Sequence, residues 1–110
     1  MKSDEVYRAH ILDALALIRE YVGGLDKTSF VGDSLRRDAV VRQLMIVGEA
    51  ARRLSAEFRA RYPDIPWADI VGMRNRLVHD YINVDWDLVW DTVHYDVPFL
   101  QARLGREPDS

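Results

Sequence analysis

The sequence predicts an all-α fold, a bundle of four or five helices, on three observations. Apolar residues recur at alternating spacings of four and three, no stretch alternates apolar and polar residues as a half-buried strand does, and glycine- or proline-containing breaks separate segments of helical length. With 110 residues, 48% of them hydrophobic and 30% charged, the chain is expected to be one domain, residues 1–110. That length supports a core without help from disulfides or metals.

The first stripe is Tyr7, Ile11, Ala14, Ile18, Tyr21 and Leu25, and its helix should stop at Gly23-Gly24. A second helix opens at Asp33-Ser34, both good N-cap residues, carries Val40, Leu44, Val47, Ala51, Leu54 and Phe58, and is expected to run to about Arg59. The break Tyr62-Pro63-Asp64-Ile65-Pro66 ends it, because proline lacks an amide donor and biases the residue before it away from the helical region. Pro66 can open the next helix, which runs to about His79-Tyr81, with Gly72 as a candidate irregularity. After Ile82-Asn83-Val84 a last helix, capped by Asn83 or Asp85, carries Trp86, Trp90, Val93, Val97, Leu100 and Leu104, with Pro98 as a candidate kink. Residues 105–110 are expected to fray.

The chain has no cysteine, which excludes disulfides, thiolate zinc sites and cysteine nucleophiles. Its first residues lack a signal-peptide pattern and no apolar run approaches the ~20 residues that cross a bilayer, so a cytoplasmic protein without membrane contact is expected. A net charge of −3 argues against a protein that coats nucleic acid non-specifically. The distribution says more than the sum. Nine arginines and five acids fall between Arg36 and Arg76, whereas Asp80 to Asp96 holds five aspartates and no Lys or Arg.

Chemistry concentrates in Arg74-Asn75-Arg76-Leu77-Val78-His79-Asp80-Tyr81. Arginine, a polar residue, a short spacer and histidine resemble the signature of the HEPN ribonucleases, a superfamily of small helical bundles. Tyr81, two places after His79, narrows the resemblance to the HepT-like toxins. Arg42-Gln43-Leu44, Gly48-Glu49-Ala50, Pro66-Trp67 and Gly72-Met73 add to it, so it covers nearly the whole chain.

The resemblance implies a HEPN-type bundle, paired as a symmetric homodimer, that cleaves RNA and is toxic to its own cell. It also implies a nucleotidyltransferase antitoxin that silences the toxin by transferring AMP to Tyr81. In this reading Arg74 and His79 are catalytic, Asn75 supports them, and neither metal nor cofactor takes part. The residue types suit the task. Metal-free RNA cleavage uses the ribose 2′-OH as nucleophile, and histidine, with a pKa near ~6.5, can accept or donate a proton at neutral pH. Arginine offers a charged, planar fork to phosphate oxygens.

Spacing limits the picture, because five residues at ~100° each leave Arg74 and His79 about 140° apart on an ideal helix. Either the helix is irregular near Gly72 or the arginine wraps around it. Asn75 and His79, four apart, share a face. One histidine is also short of two proton-transfer roles, which a dimer would supply.

Other residues read as structural. His10 and His94 sit beside apolar stripes, Glu49 can pair with an arginine of the bundle, and Trp67, Trp86 and Trp90 lie at core spacing. The arginine pairs 36-37 and 52-53 read as solvated, with phosphate binding as the alternative. Asp80, Asp85 and Asp87 read as turn and cap residues rather than metal ligands. The rival functional class is a non-catalytic bundle that binds a nucleotide or a nucleotidyltransferase. The intact Arg-Asn-x3-His pattern argues against it.

Overall fold

In the computed structural model, which describes residues 3–106, the chain is all-α, with no strand among the described residues. Helix α1 (Asp4–Val22) buries Ile11, Ala14, Leu15 and Ile18 and stops where Gly24 turns the chain at φ 80°, a conformation that glycine adopts without strain. A short helix α2 (Lys27–Val31) follows, capped by Asp26 and burying Phe30. Helix α3 (Ser34–Arg53) starts where the Asp33 carboxylate accepts the Arg36 amide at 3.1 Å.

The expected run to Arg59 is broken at Leu54. Ser55 leaves the helix in an extended conformation and caps a separate helix, α4 (Ala56–Ala60), by accepting the Phe58 amide at 3.0 Å. Asp4 takes both Ser55 donors, the amide at 2.8 Å and the hydroxyl at 2.7 Å, so the break is fixed from the start of α1. At the other end of the pair the Arg36 guanidinium donates to the Tyr21 carbonyl at 2.6 Å. α1 and α3 therefore run antiparallel.

Helix α5 (Trp67–His79) is continuous, without the irregularity allowed for near Gly72. Its Trp67 indole donates to the carbonyls of Arg59 and Tyr62, tying it to α4. A 3-10 turn (Tyr81–Asn83) leads to α6 (Trp86–Asp91), capped by Asp85, one of the two expected caps. The last expected helix is then interrupted by a π-helical turn (Thr92–Asp96) before α7 (Val97–Leu104). Pro98 sits at the start of α7 and has no amide hydrogen, and the widened turn lies directly before it.

Tyr62, Phe30, Ile11, Leu15, Ile18 and Leu104 are the largest fully buried side chains, and Trp67, Trp86 and Trp90 pack partly buried around them. Gly105 and Arg106 do not fray: the Arg106 carbonyl accepts from Arg8 and from the Tyr62 hydroxyl, both at 3.1 Å. The rest of the expected frayed tail, 107–110, lies outside the described residues. No helix among the described residues is long and apolar enough to cross a membrane.

Candidate active site

Arg74 lies in the middle of α5, where α5 crosses α3 at Gly48. A Cβ added at Gly48 would come within 2.2 Å of the Arg74 Cβ and 2.8 Å of its Cγ, so only glycine lets the arginine stem seat there. The guanidinium is then held on two sides. One terminal nitrogen meets Glu49 of α3 at 3.1 Å, and the other donates to the Asn75 side chain at 3.0 Å. Three of the five guanidinium N–H groups are left over from these two contacts.

Glu49 is the hub of this arrangement. Its second oxygen accepts from Arg52 at 2.6 Å and from Arg53 at 2.9 Å, and these arginines hold its carboxyl below the usual carboxylate range, Arg52 first. One negative charge thus faces three positive ones. The structural role read for Glu49 from sequence is present, and it is exercised on Arg74.

His79 closes α5 and is exposed, and its side chain makes no hydrogen bond or ion pair with another described residue. The helix is regular and Arg74 turns toward α3, so Arg74 and His79 are not joined within one chain. Asn75 bridges them in part: it is bonded to Arg74 and shares the exposed face of His79.

Tyr81 lies just beyond, half-exposed, and its hydroxyl donates to Asp38 of α3. That bond, with some burial, raises the phenol above its ordinary pKa. Its ring packs edge-on to Trp86 at 6.1 Å, and Arg37 lies over the same indole at 4.5 Å. Asp38, Arg42, Glu49 and Arg53 fall on one stripe of α3, spaced by four, seven and four, which puts Tyr81 at one end and Arg74 near the other. Asp38 and the seat at Gly48 were not foreseen. The stripe spacing was the available signal for Asp38, and the Gly48-Glu49 pair on an apolar helix was the signal for the seat.

A groove of about 270 Å³ is lined by Leu44 and Val47 of α3, Ile70, Met73 and Arg76 of α5, and Val97 of α7 among others. It holds none of Arg74, Asn75, His79 or Tyr81.

The family model for the ribonuclease HepT-like proteins matches residues 11–106, which include all four of these residues. The chain belongs to the HepT-like ribonuclease family. It is similar to "Probable ribonuclease HepT" of Thermococcus cleftensis, 34% identical over 105 residues that span 96% of both chains. It is 36% identical over 104 residues to "Putative RNase TTE0752" of Caldanaerobacter subterraneus, covering 94% of this chain and 93% of that one. With "Putative RNase MJ1380" of Methanocaldococcus jannaschii it shares 39% over 94 residues, 86% of each. No solved structure matches this HepT-like chain significantly.

Proposed function

We propose that this HepT-like chain is an endoribonuclease toxin that cuts RNA without metal, with Arg74 and His79 as its catalytic residues. The observation that carries the reading is the preorganised Arg74, seated on Gly48 and clamped by Glu49 and Asn75, with an exposed, unengaged His79 side chain on the same helix. A guanidinium fixed before substrate arrives needs no reorganisation as charge builds on the phosphate.

In the proposed reaction the ribose 2′-oxygen attacks the adjacent phosphorus, its proton passes to a histidine, and the 5′-oxygen leaves with a proton. The products are a 2′,3′-cyclic phosphate and a 5′-hydroxyl. A single histidine cannot be base and acid in the same step, so two His79 residues in a symmetric homodimer share the roles. The exposed apolar side chains of Val78 and Ile82, beside His79 and Tyr81, support a surface that a second copy covers. A nucleotidyltransferase antitoxin silences the toxin by AMP transfer to Tyr81: the phenol oxygen attacks the α-phosphorus of ATP, pyrophosphate leaves and the phenol proton is released. The added phosphate competes for Arg74.

Purified protein is expected to cleave RNA in EDTA and leave cyclic phosphate ends, and Arg74→Ala or His79→Ala to lower the rate at least a hundredfold while circular dichroism stays unchanged. Cleavage that requires added Mg²⁺, or that survives His79→Ala, sinks the mechanism. Mass spectrometry after co-expression with a neighbouring nucleotidyltransferase tests the modification. AMP on a residue other than Tyr81 removes that part alone.

A further inference from the structure

Between α1 and α3, on the far side of Glu49 from Arg74, lies an open cleft of about 460 Å³ lined by Tyr7, His10, Ile46, Glu49, Ala50 and Arg53. Ile46, Glu49, Ala50 and Arg53 recur at spacings of three, one and three on a single face of α3, and Tyr7 and His10 stand one turn apart on α1. The volume is in the range of small-molecule sites. Its walls combine the two features by which single-stranded nucleic acid is held, an aromatic surface and a fixed cation.

The aromatic wall is Tyr7 with His10, edge to face at 6.2 Å, with His10 exposed and Tyr7 half-buried. The cation is Arg53, whose Nε is fixed to Glu49 at 2.9 Å while its side chain stays half-exposed. Glu49 does not repel an anion here, because Arg52, Arg53 and Arg74 together outweigh its charge in a chain that is otherwise acidic. The same carboxylate that fixes Arg53 at this cleft fixes Arg74 at the candidate active site. Two guanidinium groups held by one carboxylate are within reach of neighbouring phosphates on one strand.

We infer that this cleft is a second nucleotide subsite for the RNA substrate, in which a base stacks on the His10 ring, with Tyr7 standing edge to face beside it, and its phosphate is held by Arg53. The inference rests on the ribonuclease reading of Arg74 and His79 and extends it from the cut bond to a flanking nucleotide. His10, read from sequence as structural, acquires a role as a stacking surface.

The test uses fluorescein-labelled 2′-O-methyl RNA, which lacks the nucleophile and cannot be cut, as a hexanucleotide and as a dinucleotide, with binding read by anisotropy. Arg53→Ala and His10→Ala are each expected to weaken the hexanucleotide about tenfold, the scale of one lost stacking or phosphate contact, and to shrink its advantage over the dinucleotide. His10→Phe, which keeps a ring and removes the titratable nitrogens, is expected to restore affinity. With cleavable RNA the loss in kcat/KM is expected to enter through KM.

Unchanged hexanucleotide affinity in folded Arg53→Ala and His10→Ala overturns the subsite. So does a His10→Phe protein as weak as His10→Ala, since the ring alone would then not suffice. A loss equal for both probes also overturns it. Length-dependent binding by a wild-type protein that cuts no RNA would remove the ribonuclease reading and leave the subsite standing.

Discussion

Arg74 is held by its first side-chain carbons as well as by its charge. The Gly48 seat leaves no room for a methyl group, since a Cβ there would lie 2.2 Å from the Arg74 Cβ and 3.2 Å from the Ile70 carbonyl. Gly48→Ala must push α3 and α5 apart, an overpacking cost of roughly 1–3 kcal/mol. Thermal unfolding is expected several degrees lower, and RNA cleavage is expected to fall further than stability does, because the guanidinium moves off Glu49 and Asn75. A Gly48→Ala protein with wild-type cleavage would show that the seat does not govern Arg74.

Tyr81 gives a second residue-scale expectation, for alkaline pH. Its phenol is raised above the ordinary ~10 chiefly by the hydrogen bond to Asp38, so the neutral form is favoured in the folded state. The stability this contributes is complete below the unfolded value and is lost as pH rises through the folded one. Tyr81→Phe should therefore flatten the decline of the unfolding midpoint above pH 10. In Asp38→Asn the Tyr81 phenolate, read as the difference in 295 nm absorbance titration from Tyr81→Phe/Asp38→Asn, should form at lower pH than in the wild type. An unmoved titration would mean that Asp38 does not control the hydroxyl.

Among the elements, those defined by their own apolar spacing were legible and those defined by distant partners were not. The stripes of α1 and α3, the opening of α5 at Pro66 and the caps at Asp33 and Asp85 are local, and each was read from its own segment. The break at Leu54-Ser55 was missed because the apolar spacing runs on through Phe58. What interrupts it is Asp4, which takes both Ser55 donors from the far end of the chain. Helix α2 has five residues, too few for a period to show.

The candidate site divides the same way. Asn75 and His79 share a face by spacing alone, whereas the direction of Arg74 depends on Gly48 and Glu49 of another helix. Ser55→Ala is expected to cost about 1 kcal/mol as a lost N-cap, with a further loss because one Asp4 oxygen is left without its hydroxyl donor. Urea denaturation should find Asp4→Ala less than additive with it, and full additivity would mean that the two do not act as a unit.

For the molecule as a whole, the separation of Arg74 from His79 within one chain makes assembly a question about catalysis. A two-fold dimer is expected in sedimentation. Mixing an Arg74→Ala chain with a His79→Ala chain leaves one His79 in each mixed dimer, so little activity should return, and substantial recovery would show that a single His79 suffices. A fully active monomer would refute the shared site. The seat at Gly48 bears on this mixture in another way. Alanine retains the Cβ of Arg74, the nearer of the two carbons seated at Gly48, so Arg74→Ala removes the charge and keeps most of the joint between the helices. The inert chain remains interchangeable in shape with the active one. Expressed in excess beside a wild-type copy, it should occupy dimer positions and lower RNA cleavage by dilution.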